Sequence, residues 1–131
     1  MEAAIQLCME PKTILVVDDE PTVIGFCQAI LKLGGYDALL AHSGEEALNL
    51  LRSRKAPIDL ALLDVMMPRM NGIELADRIL AVHPGTKIVF MTGFGPKEIA
   101  SVVGARRHRI VWKPFKTESL LRELENALES A

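Results

Sequence analysis

Four short apolar runs in this chain each end in a polar group suited to phosphate or metal chemistry. Ile14-Leu15-Val16-Val17 stops at Asp18-Asp19 and Leu60-Ala61-Leu62-Leu63 at Asp64. Ile88-Val89-Phe90-Met91 stops at Thr92, and Ile110-Val111-Trp112 at Lys113. If the runs are parallel strands of one sheet, these groups meet at a single edge, the one where open α/β sheets bind ligands. Three carboxylates crowded there repel and raise one another's pKa, and a hard divalent cation removes that cost. Mg²⁺ suits the set, because it takes a few carboxylates and keeps positions open for phosphate oxygens. Lys113 adds a point charge and Thr92 a hydroxyl. A metal, a cation and a hydroxyl around one carboxylate are what phosphoryl transfer requires. The aspartate can itself be the nucleophile, forming an acyl phosphate.

The elements that must position these groups follow from the apolar periodicities. Residues 13–17 read as a first strand. Residues 21–33 read as a helix with Val23, Cys27, Ile30 and Leu31 on one face. Gly34-Gly35 stops it, since glycine accepts the left-handed cap geometry. Residues 36–41 are a second strand. Ser43 opens the next helix, with Glu46 completing a capping box and Ala47, Leu48, Leu50 and Leu51 as its apolar face. The unbroken apolar run 60–63 suits a strand buried on both faces, as in a parallel sheet. A helix carrying Ile73, Ala76, Ile79 and Leu80 follows Asn71-Gly72 and ends at His83-Pro84-Gly85. Residues 87–91 are the fourth strand, about 96–104 a weaker helix, and 110–112 the fifth strand. Thr117 is the expected N-cap of a last helix with the stripe Leu120, Leu121, Leu124, Ala127 and Leu128. Five βα units with right-handed crossovers predict an α/β fold, a doubly wound five-stranded parallel sheet.

Composition bounds the rest. A chain of 131 residues, half of them apolar, is one ordinary domain that builds a core without metals or disulfides. A loose tail over 1–11, ended by Pro11, precedes the domain at 12–131. A net charge of -2 leaves no footprint of direct nucleic-acid binding. Cys8 and Cys27 fit no zinc or redox spacing and read as a tail residue and a helix core residue. There is no basic export signal and no apolar stretch of membrane-spanning length, so a cytoplasmic domain without membrane partners is expected. His42, His83 and His108 sit on separate elements and are assigned to no metal.

The chain resembles the receiver domain of two-component response regulators, the CheY-like superfamily. The segments that carry the resemblance are Ile14 to Glu20, Asp64 to Gly72 (Asp-Val-Met-Met-Pro-Arg-Met-Asn-Gly), Met91-Thr92-Gly93 and Lys113-Pro114-Phe115. Each alone is weak; in this order and spacing they are specific, and they cover nearly all of 12–131. The resemblance implies a flavodoxin-like (βα)5 fold with strand order 2-1-3-4-5. It implies Asp64 as phosphoacceptor, Asp18 and Asp19 as the acidic pair that with Asp64 holds Mg²⁺, and the Met66 backbone carbonyl as a further metal ligand. Thr92 resembles the switch hydroxyl and Lys113 the lysine that pairs with the phosphoryl group, with a cis Lys113–Pro114 bond. The implied partners are a histidine kinase or phosphotransfer protein and a downstream protein or output domain, with homodimerisation a further option. The implied chemistry is self-modification only, not turnover of a substrate.

Two departures bear on the readout. The switch position three before the lysine, usually aromatic, is Ile110, which is branched at Cβ and has no ring to rotate. Trp112 lies two residues on and is expected on the same side of the strand, as a packing residue, a partial substitute or part of a partner face. The turn before the fifth strand carries Arg106, Arg107 and Arg109, which read as a solvated turn or as a partner face. These departures keep open a phosphorylation-independent interaction module of the same fold. A Mg²⁺-dependent phosphatase of free metabolites is disfavoured, because the chain has no cap domain or second pocket-forming segment.

Overall fold

A computed structural model describes residues 11–54, 57–93 and 108–130. Its strands are β1 (Thr13–Val17), β2 (Asp37–Ala41), β3 (Leu60–Asp64), β4 (Lys87–Thr92) and β5 (Arg109–Trp112). All neighbouring pairs are parallel, in the order β2-β1-β3-β4-β5. The described helices are α1 (Pro21–Leu33), α2 (Gly44–Ser53), α3 (Gly72–Val82) and α4 (Thr117–Glu129). The expected doubly wound, flavodoxin-like sheet is therefore observed. The weaker helix expected near 96–104, together with Cys8, Arg106 and Arg107, lies outside the described residues.

Strand alternation splits the core into two layers. Leu15 and Val17 of β1, Ala61 and Leu63 of β3 and Phe90 of β4 pack under α2 and α3. Ile14, Val16, Leu60, Leu62, Val89, Met91 and Val111 pack under α1 and α4. β1 and β3 are buried at every position, which explains their unbroken apolar sequence. From α1 the buried residues are Ile24, Cys27, Ile30 and Leu31, so Ile24 rather than Val23 leads the inward face. From α4 they are Leu120, Leu124 and Ala127.

Some element ends differ from expectation, each for a local reason. Tyr36 belongs to the turn that closes α1, because its N–H donates to the Leu31 carbonyl at 2.9 Å. Gly35 takes the left-handed conformation at φ 78°, while Gly34 stays right-handed. Ser43 caps α2 by accepting from the Glu46 N–H, but the full reciprocal capping box forms instead at Asn71 and Glu74 of α3. Thr117 is the first helical residue of α4; the N-cap is Lys116, whose side chain makes no capping bond. Among the described residues no helix is long and apolar enough to cross a membrane.

Candidate functional site

Register brings the four polar strand ends level. Val17 lies opposite Leu63, Asp64 opposite Met91, and Thr92 opposite Trp112, so the residues that follow β1 and β5 share an edge with Asp64 and Thr92. Asp18 is fully buried, held by a bond from its own N–H to the Ala41 carbonyl of β2. Its Oδ1 accepts from the Glu20 N–H at 2.9 Å, which fixes the carboxylate at the entrance to α1. Asp19 is exposed. Asp18, Asp19 and Asp64 present carboxylate oxygens that lie within 4.8 Å of one another, a set able to hold a metal ion.

Lys113 closes the group. Its Nζ donates to Asp18 Oδ2 at 2.8 Å and lies 3.5 Å from Asp64 Oδ1. Burial opposes its charge, but the Asp18 hydrogen bond and the nearby carboxylates outweigh that and raise its pKa. The Asp64 pKa is raised as well, which for an acid disfavours the charged form. Burial and the Asp18 charge push it up to about 7, against the lowering effect of Lys113 and of a Met66 backbone hydrogen bond. A carboxyl raised this far has a physical cause in the fold, burial beside a second buried carboxylate. Thr92, the last residue of the neighbouring strand β4, is fully buried. The Lys113–Pro114 peptide is cis.

The loop after β3 is built around Asp64. The Gly72 N–H donates to the Val65 carbonyl at 2.9 Å, and a Cβ on Gly72 would overlap the Asp64 carbonyl. Only glycine lets the start of α3 sit against the strand that carries the acceptor. Arg69 turns the same loop at φ 71°, the sole non-glycine residue with positive φ among those described.

A profile of the response regulator receiver domain matches residues 14–125, most of the chain. The chain belongs to this family. The receiver is 34% identical over 121 residues to the response regulator receiver protein CpdR of Brucella abortus, covering 92% of this chain and 99% of that one. It is 34% identical over 117 residues to the transcriptional regulatory protein CpxR of Escherichia coli, covering 88% of this chain but only 48% of CpxR. Among solved structures, a CheY-like receiver domain protein from Methanospirillum hungatei superposes with a TM-score of 0.81 at 27% identity, covering 92% of this chain and 95% of that one. The chain thus spans nearly all of one relative and about half of another. As a family, receiver domains are signalling domains of phosphorelay pathways.

The receiver's departures have definite places. Ile110 is half-buried and packs into the layer under α2 and α3, opposite Phe90. Trp112 is 39% exposed and lies opposite Thr92, on the Ile110 side of β5 by strand alternation. Arg109 is bound to Glu123 of α4 at 3.1 Å, so its charge is compensated within the fold. The sequence reading missed an apolar cavity of about 600 Å³ beside Lys113, lined by Thr22, Val23, Phe26, Gly93 and Phe115. The stacked rings of Phe26 and Phe115, 5.7 Å apart, come from distant positions, so no local pattern signalled it.

Proposed function

We propose that Asp64 of this receiver accepts a phosphoryl group from a phosphohistidine of a histidine kinase or phosphotransfer protein, in a Mg²⁺-dependent reaction that switches binding to a downstream protein or output domain. The observation that carries this reading is the meeting of Asp18, Asp19, Asp64 and Lys113 at one sheet edge. The ligand set fits Mg²⁺: three carboxylates within reach of one ion, one of them with its pKa pushed up to about 7 by burial and by the Asp18 charge. Asp18, Asp19 and Asp64 would hold the ion, with the Met66 backbone carbonyl as a further ligand. Bound there, Mg²⁺ supplies positive charge against the phosphoryl oxygens.

The chain's own residues do the rest. An Asp64 oxygen forms a bond to phosphorus as the P–N bond of the donor breaks, and the electron pair stays on the departing imidazole nitrogen. Only the ionised carboxylate attacks, so a pKa of about 7 makes Asp64 a conditional nucleophile until countercharge arrives. Lys113 pairs with the phosphoryl oxygens after releasing Asp18 or sharing its protons between the two. The Thr92 hydroxyl donates to the same group. The added charge of roughly -1.5 to -2 biases a two-state arrangement of the Thr92 end of β4 and of β5, with Ile110 as the switch position. The receiver thereby catalyses only its own phosphorylation and dephosphorylation, as a cytoplasmic domain over 12–131 behind a tail at 1–11.

The test is acetyl phosphate with and without Mg²⁺, read by intact mass. A Mg²⁺-dependent phosphoryl adduct on the wild type, absent from Asp64→Asn, is expected. No adduct, or equal labelling of the variant, overturns the assignment. The half-buried Ile110 favours one second reading, a phosphorylation-independent interaction module. A solved relative at 25% identity and TM-score 0.79, covering 92% of this chain, is described as a BeF3-activated receiver domain, which makes beryllofluoride the probe of choice. Partner binding that is equal with and without it would support the second reading.

A further inference from the structure

A cleft of about 230 Å³ lies between the C-terminal halves of α2 and α3, lined by Leu48, Leu51, Arg52, Arg78, Val82 and His83. None of these residues belongs to the carboxylate site. Leu48 and Leu51 are 8% and 6% exposed and form an apolar floor, while Val82 at the rim is 66% exposed. Leu48 and Arg52 are four apart on α2, as are Arg78 and Val82 on α3, so each helix presents one apolar residue and one arginine in line.

Among the described residues the two arginines here have no carboxylate partner. The Arg52 guanidinium donates to the neutral Asn49 side chain at 3.0 Å. Among the described residues no carboxylate lies within ion-pair distance of Arg52 or Arg78. The last turn of α2 favours a cation and so accounts for Arg52 in part. Arg78 lies outside the last turn of α3, four residues after Glu74, whose Oε1 is taken up by the Asn71 N–H at 3.3 Å. Two arginines around an apolar slot, on a chain of net charge -2, suit an occupant that is acidic and apolar together.

We propose that the α2–α3 cleft docks an acidic amphipathic helix of a partner protein, with a leucine- or phenylalanine-sized side chain on the Leu48–Leu51 floor and flanking carboxylates on Arg52 and Arg78. Such helix-in-groove recognition lays apolar anchors of an amphipathic helix into the groove, and carboxylates one turn away on either side match the two arginines in charge. Val82 covers the anchor from solvent, and His83 adds a donor at the rim.

The experiment measures fluorescence anisotropy of a labelled helical peptide with a central leucine flanked by glutamates four residues away on both sides. Control peptides carry lysines for the glutamates, or alanine for the leucine. Saturable binding of the acidic peptide alone is expected, with amide shifts in NMR spectra at Leu48, Arg52, Arg78 and Val82. The double variant Arg52→Glu/Arg78→Glu, both at exposed positions, should keep the native circular dichroism spectrum and weaken binding at least about tenfold. Val82→Asp should weaken it independently. Raising salt from about 0.05 M to about 0.5 M should loosen the complex. No saturable binding, equal binding of the lysine peptide, or retained affinity in the double variant overturns the proposal. Concentration-dependent self-association that the double variant abolishes also overturns it, and assigns the cleft to a second copy of the chain.

Discussion

Asp64 ties the chemistry of the site to the stability of the fold. Its pKa in the unfolded chain lies near 3.8 and in the folded protein near 7. Between those values the native state keeps a proton that the unfolded state has lost, so this group lowers stability as pH rises through the window. Asp64→Asn is therefore expected to raise urea-measured stability at pH 8 by at least about 1 kcal/mol in the absence of Mg²⁺, and to change it little near pH 3.5. Mg²⁺ should narrow the gap by stabilising the ionised wild type, and a Mg²⁺-insensitive wild type would contradict the donor set. Lys113 carries the opposite expectation. Its side chain neutralises a fully buried Asp18, so Lys113→Met should cost about 3 kcal/mol at pH 7. Asp18→Asn in the same chain should recover much of that loss, because no charge is then stranded. The identities of these residues were legible in the sequence, since each ends an apolar run. Their pairing was not: Lys113 lies nearer Asp18 than Asp64, and only side-chain packing across four strands sets that preference.

At the scale of elements, the start of α3 is the most sensitive join. Gly72→Ala would drive a methyl group into the Asp64 backbone carbonyl, so α3 or the loop must move. A loss of about 2 kcal/mol or more in urea unfolding is expected, with slower labelling by acetyl phosphate as the acceptor shifts. The nearest atoms to a Cβ at Gly44 belong to the Met70 side chain, whose Sδ at 2.7 Å can swing away, so Gly44→Ala should cost clearly less. Equal losses for the two variants would remove the backbone argument. Helix existence was readable from periodicity here, whereas helix starts were not. Ser43 and Thr117 both read as caps, but Ser43 forms half a capping box and Thr117 lies one residue inside its helix. The complete box at Asn71 and Glu74 arises where the loop after Asp64 fixes the approach to α3.

Across the whole molecule, the core seals the Cys27 thiol close to the site. Cys27 is fully buried in the layer under α1, and burial together with the Asp18 charge pushes its pKa up to about 12. It should be inert to thiol reagents in the native state at pH 8, because the thiolate is the reactive form. In a Cys8→Ser background, labelling of Cys27 should proceed only through opening of the sheet–helix core, and should speed up with urea in step with unfolding. Native-state labelling at the rate of a free thiol would show that α1 opens locally.

The sequence by itself determined the alternating architecture, the doubly wound parallel sheet and the set of residues at its carboxyl edge. It could do so because periodicity is local and parallel strands place all their C-terminal ends together. Tertiary structure decided how the set divides its labour. Asp18 is buried and bound to Lys113, Asp19 is exposed, and Asp64 is held near neutrality. It also built the Phe26–Phe115 cavity and the basic cleft between α2 and α3. These features depend on distances between residues far apart in the chain, which burial and packing fix and local pattern does not.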